Sequence, residues 1–379
     1  MKLRHTAVLP AGFAANAISC GIKKSGKPDL ALFYSRLPAK AACLFTSNRV
    51  QAAPLKVSQR HLGKNKFFRA IVVNSGNANC FTGGQGVRDA WETCRFYAGH
   101  LGVPAESVLV NSTGIIGRRL PVEKIIRAAP SLVSGLCPAG IAKAKRAILT
   151  TDSFAKQATA EVNLGSRKVV ICWIAKGAGM ISPNLATLLC FIFTDADIAQ
   201  AALKKALRQA VDQSFNRITV DGCMSTNDSV MLLANAAAGN RLVSAGRDLK
   251  IFSRALAEVC RNLALAVVRD AEGATKFIRI CVNGAAGEKE AKTVALQIAN
   301  SALVKTAAFA SSANIVGRII AACGASGARI DEAALKVKYS LLHKRDIDIE
   351  VTVGSGRGAA VIYTSDLSYE YVKINAEYN

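Results

Sequence analysis

The stretch Lys176-Gly-Ala-Gly-Met-Ile-Ser-Pro-Asn-Leu-Ala186-Thr187-Leu-Leu-Cys-Phe-Ile-Phe-Thr-Asp195 decides how this chain is read. A threonine stands directly after a small residue, between a Gly/Pro/Asn-rich turn and an apolar run of strand length. Its hydroxyl can attack the carbonyl of the preceding residue and shift the acyl group from nitrogen to oxygen. Hydrolysis of that ester leaves Thr187 as a new chain N-terminus. The freed α-amine, with an ordinary pKa of about 7.7–8.0, is partly neutral near pH 7 and can take the hydroxyl proton during attack on a substrate. No catalytic histidine is then required. Standing alone, an Ala-Thr pair before an apolar run is more often simply the start of a strand, so the pair gains meaning only from its surroundings.

Composition narrows the class. The chain has 379 residues, 51% hydrophobic and 20% charged, enough to bury two or three domain-sized cores. No apolar run approaches the roughly 18 residues that cross a bilayer, and Val169–Ala175 is strand-length, so no membrane association is expected. The basic start and the apolar stretch up to Cys20 resemble a secretion signal, but Pro10, Gly12 and Asn16 interrupt it. The eleven cysteines are odd in number, scattered and mostly set in apolar runs, as Cys172, Cys190 and Cys281 are. They read as small buried hydrophobes of a reducing cytoplasm. No Cys/His spacing suggests a metal site. The net charge of +23 is the one anomaly. It comes in short clusters such as Lys23-Lys24, Arg118-Arg119 and Lys204-Lys205, with only 6% aromatic residues, and reads as solvated surface with no nucleic-acid partner.

Along the chain, short apolar runs at 30–33, 70–73 and 108–110 predict strands, and 86–101 and 121–133 have helical spacing. Beyond Thr187 come a strand at 188–193, a basic amphipathic helix at 197–214, a strand at 231–234 and a long helix at 249–270. Segments 346–353 and 358–363 read as a terminal hairpin. Strands and helices mix without a strict βαβ rhythm, which predicts an α+β layered fold.

The cleavage-segment pattern Lys-Gly-x-Gly-Met-Ile-x-Pro-Asn-x-Ala-Thr-x-Leu resembles that of the ornithine acetyltransferase (glutamate N-acetyltransferase) family of arginine biosynthesis. Further segments resemble the family in order, among them Val73-Asn-Ser-Gly-Asn-Ala-Asn79, Asn111-Ser-Thr-Gly-Ile-Ile-Gly117, Leu149-Thr-Thr-Asp-Ser-Phe154 and Ser214-Phe-Asn-Arg-Ile-Thr-Val-Asp-Gly222. The resemblance implies a sheet sandwich flanked by helices, related to self-processing aminopeptidases. It implies cleavage between Ala186 and Thr187 into an α chain, 1–186, and a β chain, 187–379, intertwined in an α2β2 heterotetramer in the cytoplasm. The implied reaction carries acetyl from N2-acetylornithine to glutamate through an acetyl-threonine, with no cofactor. Acetyl-CoA stays open as a co-substrate.

Site residues follow from both readings. Amide acyl transfer passes through a tetrahedral oxyanion that needs preorganised donors. Asn111-Ser-Thr113-Gly114, at the end of an apolar strand with a glycine for close approach, suits that need or is an ordinary turn. The resemblance implies that Thr113 and Gly114 form the oxyanion hole. An ammonium at Lys176 can hold a substrate carboxylate, and a carboxylate at Glu272 can pair with the cationic amine of an ornithine side chain. Without the resemblance, the first is a surface lysine beside a glycine turn and the second an exposed acid at a helix end. The matching lysine and glutamate of the family contact substrate, as do its Thr-Thr-Asp, here Thr150, Thr151 and Asp152, and its closing-strand asparagine, here Asn375. Two departures stand out. Phe309–Arg318 lacks the family's Gly-Arg-Asp-Pro-Asn-Trp-Gly-Arg pattern, and a usual Thr or Ser after the position of Asn379 is missing, which predicts one substrate hydrogen bond fewer. Two rivals remain: a self-processing aminopeptidase or amidase whose acyl acceptor is water, and a non-catalytic basic relic that binds nucleic acid.

Overall fold

A computed structural model describes residues 1–182 and 188–377. The strands of the main unit are β1 (Lys2–Arg4), β2 (Phe13–Ile18), β3 (Leu30–Phe45), β4 (Phe68–Asn77), β5 (Val108–Ile115), β6 (Lys156–Leu164), β7 (Arg167–Lys176), β8 (Leu189–Thr194) and β9 (Ser229–Ala234). They hydrogen-bond in the order β1-β6-β7-β8-β9-β3-β4-β5, with β2 also on β3.

The long strand β3 turns this path into a sandwich. Its first part, Leu30–Ser35, pairs with β2 and β4, and its last part, Lys40–Phe45, pairs with β9. Between them lie exposed Arg36, Leu37 and Pro38, where proline has no N–H to give a ladder. The two layers therefore face each other. Phe33 stacks on Phe191 at 5.3 Å and meets Phe193 at 5.2 Å, while Phe13 meets Phe193 at 5.3 Å. Each such aromatic pair adds to the burial that holds the layers together.

Helices close both outer faces. Gln200–Asp212 and Gly246–Arg269 pack on the β6–β9 layer, the latter through Phe252, Leu256, Val259, Leu263 and Val267 at three- and four-residue spacing. Gly83–Leu101 and shorter helices cover β4 and β5. The expected α+β layering is thus a helix–sheet–sheet–helix sandwich. The helical pattern at 121–133 is split into Val122–Arg127 and Ala129–Ser134, because Pro130 cannot continue the first helix but suits the start of the second.

A second sheet was not foreseen. It contains β10 (Phe277–Ala285), β11 (Lys336–Tyr339), β12 (Asp346–Thr352) and β13 (Gly358–Ser365) in the order β11-β12-β10-β13, covered by helices Glu288–Asn300, Ala302–Phe309 and Ile315–Gly324. Here the terminal hairpin is corrected. Strands β12 and β13 are not neighbours, since β10 lies between them, parallel to the first and antiparallel to the second. Local alternation cannot reveal this insertion, because the buried strand that claims both partners lies some sixty residues upstream. The closing segment is also a helix, Tyr369–Ala376, not a strand, with the Ser368 hydroxyl accepting from Tyr371 N–H at 3.3 Å as its N-cap.

All eleven cysteines are free thiols. Burial pushes Cys172 up to about 12 and Cys190 well above its ordinary value, so both stay protonated core residues. Among the described residues no helix is long and apolar enough to cross a membrane.

Candidate active site

The parallel pair β4–β5 ends in an irregularity at Gly76 and Asn77, which carries Thr113 and Gly114 to the rim of the sandwich. Gly114 has φ +134°, and a Cβ there would lie 2.3 Å from the Gly76 carbonyl carbon. Only glycine fits, and its absent side chain lets the backbone of this strand end approach a bound group closely. Strand β7 ends at Lys176 on the adjoining layer.

A cleft of about 110 Å³ opens where these ends meet, and its walls hold Thr113, Gly114, Thr150, Thr151, Lys176, Glu272 and Asn375. The expected substrate-contacting residues within the described chain are therefore in one place, except Asp152, whose side chain is buried and does not line the cleft. Ala186 and Thr187 lie outside the described residues, as does Asn379. The described chain on either side of Ala186 and Thr187 is firmly held. Asp221 accepts from Met180 N–H at 2.6 Å and Ile181 N–H at 2.9 Å, and Asp228 accepts from Leu188 N–H at 3.1 Å.

Lys176 is buried, and burial pushes its pKa down while Asp152 opposes the fall. Its ammonium donates to Thr150 Oγ1 at 2.7 Å and to Thr113 Oγ1 at 3.4 Å. Because these oxygens accept from a cation, their own O–H protons are left to point at another oxygen, which suits hydroxyls facing an incoming carbonyl or carboxylate. Asp152 accepts from Gly177 N–H at 2.6 Å and Thr150 N–H at 3.2 Å. Its burial alone would raise the carboxyl, but Lys176 and Lys156 hold it down at about 2.

Glu272 sits at the turn after helix Gly246–Arg269, where its N–H donates to Ala178 O at 3.0 Å. Its carboxylate accepts from Asn375 Nδ2 at 2.8 Å, which ties the C-terminal helix to the cleft. Asp221 reaches the same helix through Tyr371 OH at 3.3 Å. A Cβ on Gly179 would lie 2.3 Å from Glu272 Oε2. Gly179→Ala should therefore displace the Glu272 carboxylate and raise KM for a cationic donor severalfold with little change in kcat. Steady-state kinetics that leave KM unchanged would show that Glu272 does not face the substrate.

Sequence reasoning missed three supports. Buried Lys156 and Asp270 and half-buried Asp221 are polar anchors of the loops around the cleft. Asp221 lies inside the segment Ser214–Gly222 and Asp270 stands two residues before Glu272, so their presence beside chemistry-bearing residues was the available signal. The divergent segment 309–318 runs from the last residue of helix Ala302–Phe309 into the first turn of helix Ile315–Gly324 and supplies no residue to the cleft. Among the described residues no group of His, Cys, Asp and Glu is arranged to hold a metal.

The sequence model of the ArgJ family matches residues 14–379. The "Arginine biosynthesis bifunctional protein ArgJ" of Geobacter sulfurreducens is 44% identical over 97% of this chain and 98% of its own. That of Bacillus licheniformis is 42% identical over 97% and 95%. Among solved structures, the ornithine acetyltransferase of Mycobacterium tuberculosis complexed with ornithine is 35% identical, covering 50% of this chain and 99% of that chain, with a TM-score of 0.45.

Proposed function

We propose that this chain, which belongs to the ArgJ family, is a self-cleaving acyltransferase that moves acetyl from N2-acetylornithine to glutamate in arginine biosynthesis. The observation that carries the reading is the single cleft that offers one ammonium, Lys176, and one carboxylate, Glu272, beside the strand end of Thr113 and Gly114. Acetylornithine presents the complementary pair, an α-carboxylate and a side-chain ammonium, on either side of its acetamide.

Thr187 Oγ1 first attacks the Ala186 carbonyl, the C–N bond breaks to free the Thr187 α-amine, and hydrolysis of the resulting ester releases the Ala186 carboxylate and restores the hydroxyl. That amine then takes the hydroxyl proton as Thr187 Oγ1 bonds to the acetyl carbon. The Thr113 hydroxyl and Gly114 N–H stabilise the oxyanion, a contribution of about 2.7–4 kcal/mol per donor. Collapse breaks the amide and passes the proton to the departing ornithine amine. Glutamate enters, its amine attacks the acetyl ester, and Thr187 recovers its proton. No resident cofactor is needed, and acetyl-CoA would enter as an alternative donor to the same oxygen.

Cleavage need not part the fragments 1–186 and 187–379. Strands β7 and β8 flank the cut and pair from Ile171–Thr194 to Lys176–Leu189, so the fragments share one sheet. An α2β2 assembly in the cytoplasm accords with this reading. With both substrates present, acetylglutamate should accumulate. Free acetate in its place would favour an amidase of related fold.

A further inference from the structure

A cluster of buried charges lies next to the cleft. Lys156 opens β6 with its side chain wholly buried, 2.6 Å from Asp152 and in contact with Asp270. Asp152, equally buried, stands 3.9 Å from Lys176. Two lysines thus compete for one carboxylate, and Lys156 holds the shorter, charge-assisted bond. Lys176, at the edge of ion-pair distance, spends its donors on the hydroxyls of Thr150 and Thr113 instead.

We propose that Lys156 is a positioning residue that keeps Asp152 occupied, so that the Lys176 ammonium stays free to receive the carboxylate of the incoming substrate. The inference rests on the reading of Lys176 as the carboxylate receptor. Without Lys156, Asp152 has Lys176 as the cation within reach, and a movement of about 1 Å brings the two to full ion-pair contact. A substrate carboxylate must then displace an internal one. Asp270 anchors the other side of the Lys156 ammonium and also accepts from Ser153 N–H at 3.1 Å. Because Asp270 lies two residues before Glu272, one buried cation sets the register between the two ends of the cleft.

The test compares N2-acetylornithine with N-acetyl-1,4-diaminobutane, which keeps the acetamide and the amine but lacks the α-carboxylate. Lys156→Met should raise KM for acetylornithine about tenfold, the loss of one charge-assisted contact, and leave KM for the analogue within about twofold. Lys156→Arg should recover part of the difference. Equal losses for both donors, or an unchanged preference for the carboxylated one, would overturn the proposal. Should Lys156→Met fail to fold, Asp270→Asn decides, since it leaves Lys156 on Asp152: the preference should persist, and its collapse would be contradictory. Calorimetric binding of ornithine against 1,4-diaminobutane reads the same preference without turnover. Failure of the unaltered protein to transfer acetyl would therefore count against the acetyltransferase reading, and a binding preference indifferent to Lys156 against this one.

Discussion

With Thr187 replaced by alanine, the protein is recovered as one full-length chain and transfers no acetyl group. Both reactions use the same oxygen, so one substitution removes both, unlike the loss of an ordinary catalytic base, which leaves the nucleophile in place. Denaturing electrophoresis reads the first effect and acetylglutamate formation the second. Thr187→Ser, which keeps the nucleophilic oxygen, should still be cleaved. Turnover by the alanine variant would mean that another residue carries the acetyl group.

The second large effect is expected at Thr113. Valine there has nearly the same shape but no hydroxyl, and should lower kcat by about 10²–10³-fold, as loss of one oxyanion donor does elsewhere. KM should change little, because the donor acts on charge that develops only in the transition state. Lys176 keeps its shorter bond to Thr150 at 2.7 Å, so the ammonium stays placed. Self-cleavage, which passes through its own oxyanion, should slow as well. Single-turnover kinetics that show kcat within about threefold of the unaltered enzyme would move the oxyanion hole away from Thr113.

The residues that gather in the cleft were largely legible because they stand in contiguous pairs and triplets. Thr113-Gly114, Thr150-Thr151-Asp152 and Lys176-Gly177 each combine a functional group with a backbone requirement, and such pairs stay recognisable when read alone. Lys156 was illegible for the opposite reason. A lysine at the first position of a strand looks like a solvated charge, and only the fold reveals that Asp152 and Asp270 enclose it.

The same limit explains the fold. Helix Gly246–Arg269 and strand β8 were readable from periodicity and apolar content, which are local. The sandwich depends on β3 leaving one layer for the other near Pro38, and the second sheet on β10 entering between β12 and β13. Both are pairings between distant segments, and no local pattern encodes them. The C-terminal helix was mistaken for a strand although Ser368 stands just where an N-cap belongs. Its helical character was present in the residues and outweighed by the likeness.

The central claim is that Thr187, freed by self-cleavage, carries the acetyl group. Intact mass measurement of the purified protein under denaturing conditions, before and after incubation with acetylornithine alone, tests it most directly. The account predicts two fragments divided between Ala186 and Thr187, one added acetyl group on the fragment that begins at Thr187, and ornithine released before any glutamate is supplied. A single full-length chain that nevertheless turns over, or cleaved fragments that never gain the acetyl group, would contradict it.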